Sequence, residues 1–124
     1  VIDFSFQTRS VKDGAYVVWF RDRIEADEEL KNLSADDLKD KCIPGITLEE
    51  RLVYELKHFK ETEKHLDMDN VTLCTGSRYS GGGVPGVDWY SDRRGLVVRW
   101  CSPDGANDVG LRARQAVSSA EGGR

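Results

Sequence analysis

The sequence predicts an α+β domain: an antiparallel sheet of four to six strands packed against one long amphipathic helix plus shorter helices. Three observations carry this expectation. Alternating, β-branched and aromatic runs open the chain and dominate it after Asn70. Between them, from Leu48 to about Lys64, apolar residues recur at helical spacing. The chain has 124 residues, 39% apolar and 32% charged, which suits one domain with a real core rather than a disordered chain.

The first element is a strand, because Ile2, Phe4 and Phe6 alternate with Asp3, Ser5 and Gln7. Val11 to Gly14 reads as a turn. Ala15 to Phe20 is then a second strand, placed to pair back on the first. Ile24 to Leu33 is acidic, with apolar residues spaced for a helix. Ser34 with Asp37 three residues on is a helix start, and Pro44-Gly45 is a break. Thr47-Leu48-Glu49-Glu50 is a capping box before the best helix of the chain. Its Leu48, Leu52, Val53, Leu56 and Phe59 form one apolar stripe. Early acids and late lysines suit its dipole.

After Asn70 the expected order is a strand at Val71–Thr75, a Gly/Ser-rich loop at Gly76–Gly86 and a strand at Val87–Tyr90. A hairpin loop at Ser91–Gly95 leads into a strand at Leu96–Cys101, with Leu96, Val98 and Trp100 on one face. Past the Pro103-Asp104-Gly105 turn, Val109–Val117 alternates and sets Arg112 and Arg114 on one face, an outward basic stripe. Residues 1–117 form a single domain and 118–124 a flexible tail. No repeat or linker divides the chain.

Composition bounds the function. Val1 to Phe6 shows no signal-peptide pattern, and no apolar run approaches the ~20 residues of a membrane span. A cytoplasmic protein with no membrane partner is expected. Val at position 1 leaves open that upstream residues were removed. The net charge of −4 argues against a general polyanion binder. Yet every basic residue after Asn70 is an arginine, so a local Arg patch is available. Three cysteines, Cys42, Cys74 and Cys101, make no disulfide framework and read as reduced thiols, with a Cys74–Cys101 pair left open.

Four segments invite chemistry. Gly76–Gly86 could bring backbone amides to an anion, but it lacks the Gly-Lys-Ser/Thr of a phosphate loop, so a structural connector is the stronger reading. Cys74, with Arg78 nearby and His58 or His65 elsewhere, is a candidate nucleophile; a buried strand thiol explains it more simply. His65 to Asn70 carries metal-type donors without the Gly and distal Glu of a calcium loop, so no metal and no cofactor are expected. Arg78, Tyr79, Trp89, Arg99, Trp100, Arg112 and Arg114 form an Arg/aromatic set of the kind that grips a partner or stacks bases.

The block from Leu73 to Ser118 is patterned: Leu-Cys-Thr-Gly-Ser-Arg-Tyr-Ser, Val-Pro-Gly-Val-Asp-Trp, Leu-Val-Val-Arg-Trp-Cys-Ser-Pro and Leu-Arg-Ala-Arg-Gln-Ala-Val-Ser. It resembles short uncharacterised bacterial proteins of mobile elements, of the integron gene-cassette type. The resemblance implies no activity and carries over no catalytic residue.

The expected function is a non-enzymatic binding or protein-interaction module. Its surface would be the Arg/aromatic set with the Gly-rich loop, and its partner a protein or small molecule. A small Cys-dependent enzyme and a nucleic-acid-binding protein are the alternatives. An exposed sheet edge and surface Trp also point to a homo-oligomer.

Overall fold

The computed structural model describes residues 4–7, 9, 10, 12, 14–105 and 110–118. Its α+β architecture agrees with the sequence, but the strands pair differently from the expected single antiparallel sheet. Ile2, Asp3, Val11, Asp13, Val109 and tail residues 119–124 lie outside the described residues.

The named elements of the described residues follow one another along the chain. They run β1 (Phe4–Gln7), β2 (Val18–Phe20), a 3-10 turn (Glu28–Leu30), α1 (Ala35–Asp40), α2 (Leu48–Thr62), β3 (Val71–Leu73) and β4 (Ser77–Tyr79). Then come β5 (Val84–Tyr90), a 3-10 turn (Ser91–Arg93), β6 (Gly95–Cys101), β7 (Leu111–Ala113) and β8 (Ala116–Ser118). The main sheet has the order β6-β5-β3-β7, antiparallel except for the parallel β3–β7 pair. β1 does not pair with β2: β1 pairs with β4, and β2 with β8. Ser118, expected in the tail, is instead the buried last residue of β8.

The main sheet carries buried residues on both faces, while its edge strand β6 stays largely exposed. Leu73, Val84 and Ala113 pack on one side with Leu30, Ala35 and Leu38, under α1. Val87 packs on the other with Ile46, Leu48, Cys74 and Ala116, under the start of α2. Apolar burial of this kind supplies most of the folding drive, at about 25 cal/mol per Å².

Local chemistry explains the helix ends. Both capping boxes form: the Asp37 amide donates to Ser34 Oγ and the Glu50 amide to Thr47 Oγ1, while Asp37 and Glu50 accept the Ser34 and Thr47 amides in return. α2 stops at Thr62 because Glu63 takes the left-handed conformation (φ 61°) and its amide donates to the Phe59 carbonyl. The helix expected between Ile24 and Leu33 is only the turn at Glu28–Leu30. Tertiary partners claim its backbone first: the Ala26 amide donates to Asp67, and the Asp27 amide to the Ala113 carbonyl.

Two further expectations fail for physical reasons. The Gly76–Gly86 segment is no open loop. It holds β4, a turn in which the Tyr79 amide donates to the Gly83 carbonyl, and the start of β5. A Cβ at Gly76 would lie 2.6 Å from the Gly45 carbonyl oxygen, so this segment packs backbone to backbone against the entry to α2. Likewise, α2 does not bury its whole apolar stripe. Leu48 is buried, but Val53 and Leu56 are 62% and 60% exposed, and Phe59 is exposed too. The buried face carries Glu50, Arg51, Tyr54 and Glu55 instead.

Candidate functional site

The charged face of α2 meets a buried ionic network beneath it. Asp67 is its hub, fully buried and in the left-handed conformation (φ 52°). Arg51 Nε donates to Asp67 Oδ2 at 3.1 Å, and Arg114 Nη2 to Oδ1 at 3.0 Å. The Ala26 amide and the Thr72 hydroxyl donate to the same carboxylate. Arg114 is otherwise spent on Thr72 Oγ1 and the Arg23 and Ile24 carbonyls, and its guanidinium lies 5.4 Å from the centre of the Tyr54 ring. Arg51 also donates to Glu55, whose other oxygen is 2.8 Å from His65 Nδ1. Paired and hydrogen-bonded in this way, the charges are tolerable inside the domain.

A second buried pair pins the N-terminal segment to α2. Arg9 makes a fork to Glu50, at 2.7 and 2.9 Å, and donates to the Gly45 carbonyl. The Tyr16 hydroxyl also donates to Glu50, at 2.7 Å. Burial pushes the Glu50 carboxyl up, but Arg9, the Thr47 amide and Tyr16 together hold it below the ordinary carboxylate range.

These contacts reassign the expected site residues. Arg114 does not form an outward stripe with Arg112: it is buried in the network and unavailable to a partner. Arg112 is half-buried, beside a cleft of mixed charge that includes Arg23, Glu25, Glu28 and Lys31. Arg99 is exposed, but its guanidinium is forked onto Asp88 at 2.8 and 3.1 Å. Arg78 and Tyr79 are half-buried on β4, and the Tyr79 hydroxyl donates to the Arg99 carbonyl. Trp89 stacks on His65 at 3.4 Å between ring centres, and His65 stacks in turn on Phe59 at 5.0 Å. Trp100 is 61% exposed, its ring resting over Gly83, where a Cβ would come within 2.1 Å of it.

Cys74 is poorly placed as a nucleophile. It is fully buried, its thiol points to the Thr72 carbonyl at 3.9 Å, and burial pushes it up to about 12. Cys42 is exposed, Cys101 is half-buried and raised chiefly by burial, and all three are free thiols. A thiol reagent at neutral pH should therefore label Cys42 first, Cys101 slowly and Cys74 only after denaturation. Prompt labelling of Cys74 in the folded chain would contradict this geometry. Among the described residues, no three His, Cys, Asp or Glu side chains converge as a metal ion requires.

Several large apolar and aromatic side chains remain open to solvent. Phe59, His65 and Trp89 are stacked, and Trp89 lies opposite Leu96 in the β5–β6 ladder. Leu96, Val98 and Trp100 continue that face along β6, and all three are exposed. The strip thus runs from the end of α2 to the rim of the sheet. The alternation in β6 made half of it legible in sequence. The Phe59–His65–Trp89 stack was not, because His65 and Trp89 belong to different elements. No helix of the described residues is long and apolar enough to cross a membrane. Comparison with protein-family models, with curated proteins and with solved structures finds no match to this chain.

Proposed function

We propose that the chain is a non-enzymatic protein-interaction module that binds through the strip from Phe59 across Trp89 to Trp100. One observation carries this reading: the exposed large apolar side chains Phe59, Leu96, Val98 and Trp100 are contiguous, on a sheet face that α2 covers only in part. Two of the arginines expected to serve a ligand are engaged within the chain, Arg114 in the buried network and Arg99 on Asp88. That shifts the weight of recognition from charge to the aromatic and aliphatic surface, where Trp100 is the residue type most enriched in binding hot spots.

The test is capture of proteins by the immobilised full chain, compared with Trp100→Ala and Leu96→Ser. Loss of a captured partner in both variants, with an unchanged circular dichroism spectrum, is expected. Hot-spot truncation typically costs about 2 kcal/mol or more, roughly a thirtyfold drop in affinity. Retention of every captured protein would sink the reading. Salt-sensitive binding of a single-stranded oligonucleotide in its place would move the function to nucleic acid.

A further inference from the structure

We propose that the partner of this surface is a second copy of the chain, with β6 pairing antiparallel to β6 of the other copy about a two-fold axis at Val98. This rests on the reading of the strip as an interaction surface, and it adds the partner and the register.

The backbone decides which groups are free. β6 is the terminal strand of the β6-β5-β3-β7 sheet, and among the described residues nothing pairs with its outer side. Along β5, the Pro85 carbonyl accepts from the Cys74 amide and the Trp89 amide donates to the Asp67 carbonyl. Residues 85, 87 and 89 therefore aim their backbone toward β3, and the alternate residues aim theirs at β6. The β6 partners of those alternate residues are Cys101, Arg99, Val97 and Gly95. This leaves Leu96, Val98 and Trp100 to present their N–H and C=O groups outward. The three residues with free edge groups are thus the three with exposed apolar side chains.

Natural edge strands are commonly blunted by lysine, proline or a bulge. β6 contains neither lysine nor proline, its one charge, Arg99, is forked onto Asp88 of β5, and its register with β5 is unbroken over all seven residues. It is also self-complementary. Val98 lies midway between Gly95 and Cys101, so antiparallel pairing sets Val98 against its own copy and Leu96 against Trp100 at both ends. Each is a hydrogen-bonded pair with side chains on one face. The same register carries the exposed Arg93–Arg94 corner of one copy toward the Ser102–Asp104 turn of the other, where Asp104 is exposed. Opposite charges then meet at both ends of the interface.

The geometry also covers the strip. Directly opposed residues in an antiparallel pair share a face, so the two α2 helices lie on the same side of a continuous sheet with four strands from each copy. Leu96, Val98 and Trp100 of both copies then form one apolar floor between the helices. A β6-directed partner of different sequence would lack both the Leu96–Trp100 matching and the charge match at the two ends.

Sedimentation velocity of the full chain tests this. The expected result is a species of twice 13.9 kDa, reduced to 13.9 kDa by Val98→Arg, which sets two like charges at the axis, and by Trp100→Lys. Circular dichroism should be unchanged, because both positions are exposed at the edge. The register is read separately. Val98→Cys in a Cys42→Ser background should give a covalent dimer on mild oxidation, and Val97→Cys should not. A chain that stays at 13.9 kDa at high micromolar concentration overturns the proposal, even if the capture experiment still finds another protein on the strip. So does a dimer that survives both variants, or one that Val98→Cys fails to cross-link.

Discussion

Replacing Asp67 with Asn should cost about 3–5 kcal/mol, the penalty for stripping one partner from a buried ion pair. For a chain of this size that is a fall in Tm on the order of 10–20 °C. Asn is the informative choice because it keeps the shape of the side chain and tolerates the left-handed backbone that Asp67 adopts. The loss is then electrostatic. Arg51 and Arg114 would face each other across a neutral amide, both buried, with the Ala26 amide and Thr72 hydroxyl also deprived of a charged acceptor. Arg99→Ala is the natural control. Its ion pair with Asp88 is at the surface, where such pairs are worth roughly 0–1 kcal/mol. Urea denaturation of the two variants beside the parent decides the matter. Equal, small losses would mean that the network contributes no more than a solvated pair.

The same residues explain what the sequence could and could not disclose. The α+β class, both capping boxes and the alternation of β6 follow from rules that operate within a few residues. The strand partners of β1 and β2 are set by contacts far along the chain, and no turn chemistry near Val11–Gly14 could reveal them. The face of α2 was misread for a related reason. The apolar stripe reads as the buried face because periodicity scores a charge as outward whatever lies opposite it, yet Glu50, Arg51 and Glu55 are the residues buried. Their partners lie elsewhere: Arg9 in the N-terminal segment, and His65 and Asp67 in the connection after α2. Arg114 failed the same way: alternation placed it opposite Ala113 and Gln115, but an arginine opposite a buried carboxylate can face the core. Once those charges take the buried face, Leu56 and Phe59 are left outside, and the exposed strip is the consequence.

Glu50 should be the second most sensitive position, and two substitutions separate its roles. Its carboxylate closes the capping box on the Thr47 amide, accepts the fork from Arg9 and accepts the Tyr16 hydroxyl. Glu50→Ala removes all three and leaves Arg9 buried without its charge partner, at a cost of about 3–5 kcal/mol. Glu50→Gln keeps an oxygen for the Thr47 amide, so it should recover roughly 1 kcal/mol, the worth of a cap, while the lost charge still weighs on Arg9. Acid separates the charge from the shape. The folded-state Glu50 carboxyl titrates below its unfolded value, so its stabilisation is complete above the unfolded value and is lost as pH falls through the folded one. Urea midpoints of the parent should therefore drop from about pH 5 downward, and those of Glu50→Gln should drop less steeply. Glu29 is also held low, at about 2, by its hydrogen bond from Arg23, but it lies at the surface and is screened, so it should leave the comparison unmoved. Parallel pH profiles for parent and Glu50→Gln would show that Arg9 holds Glu50 by geometry alone, with no share in the acid sensitivity of the fold.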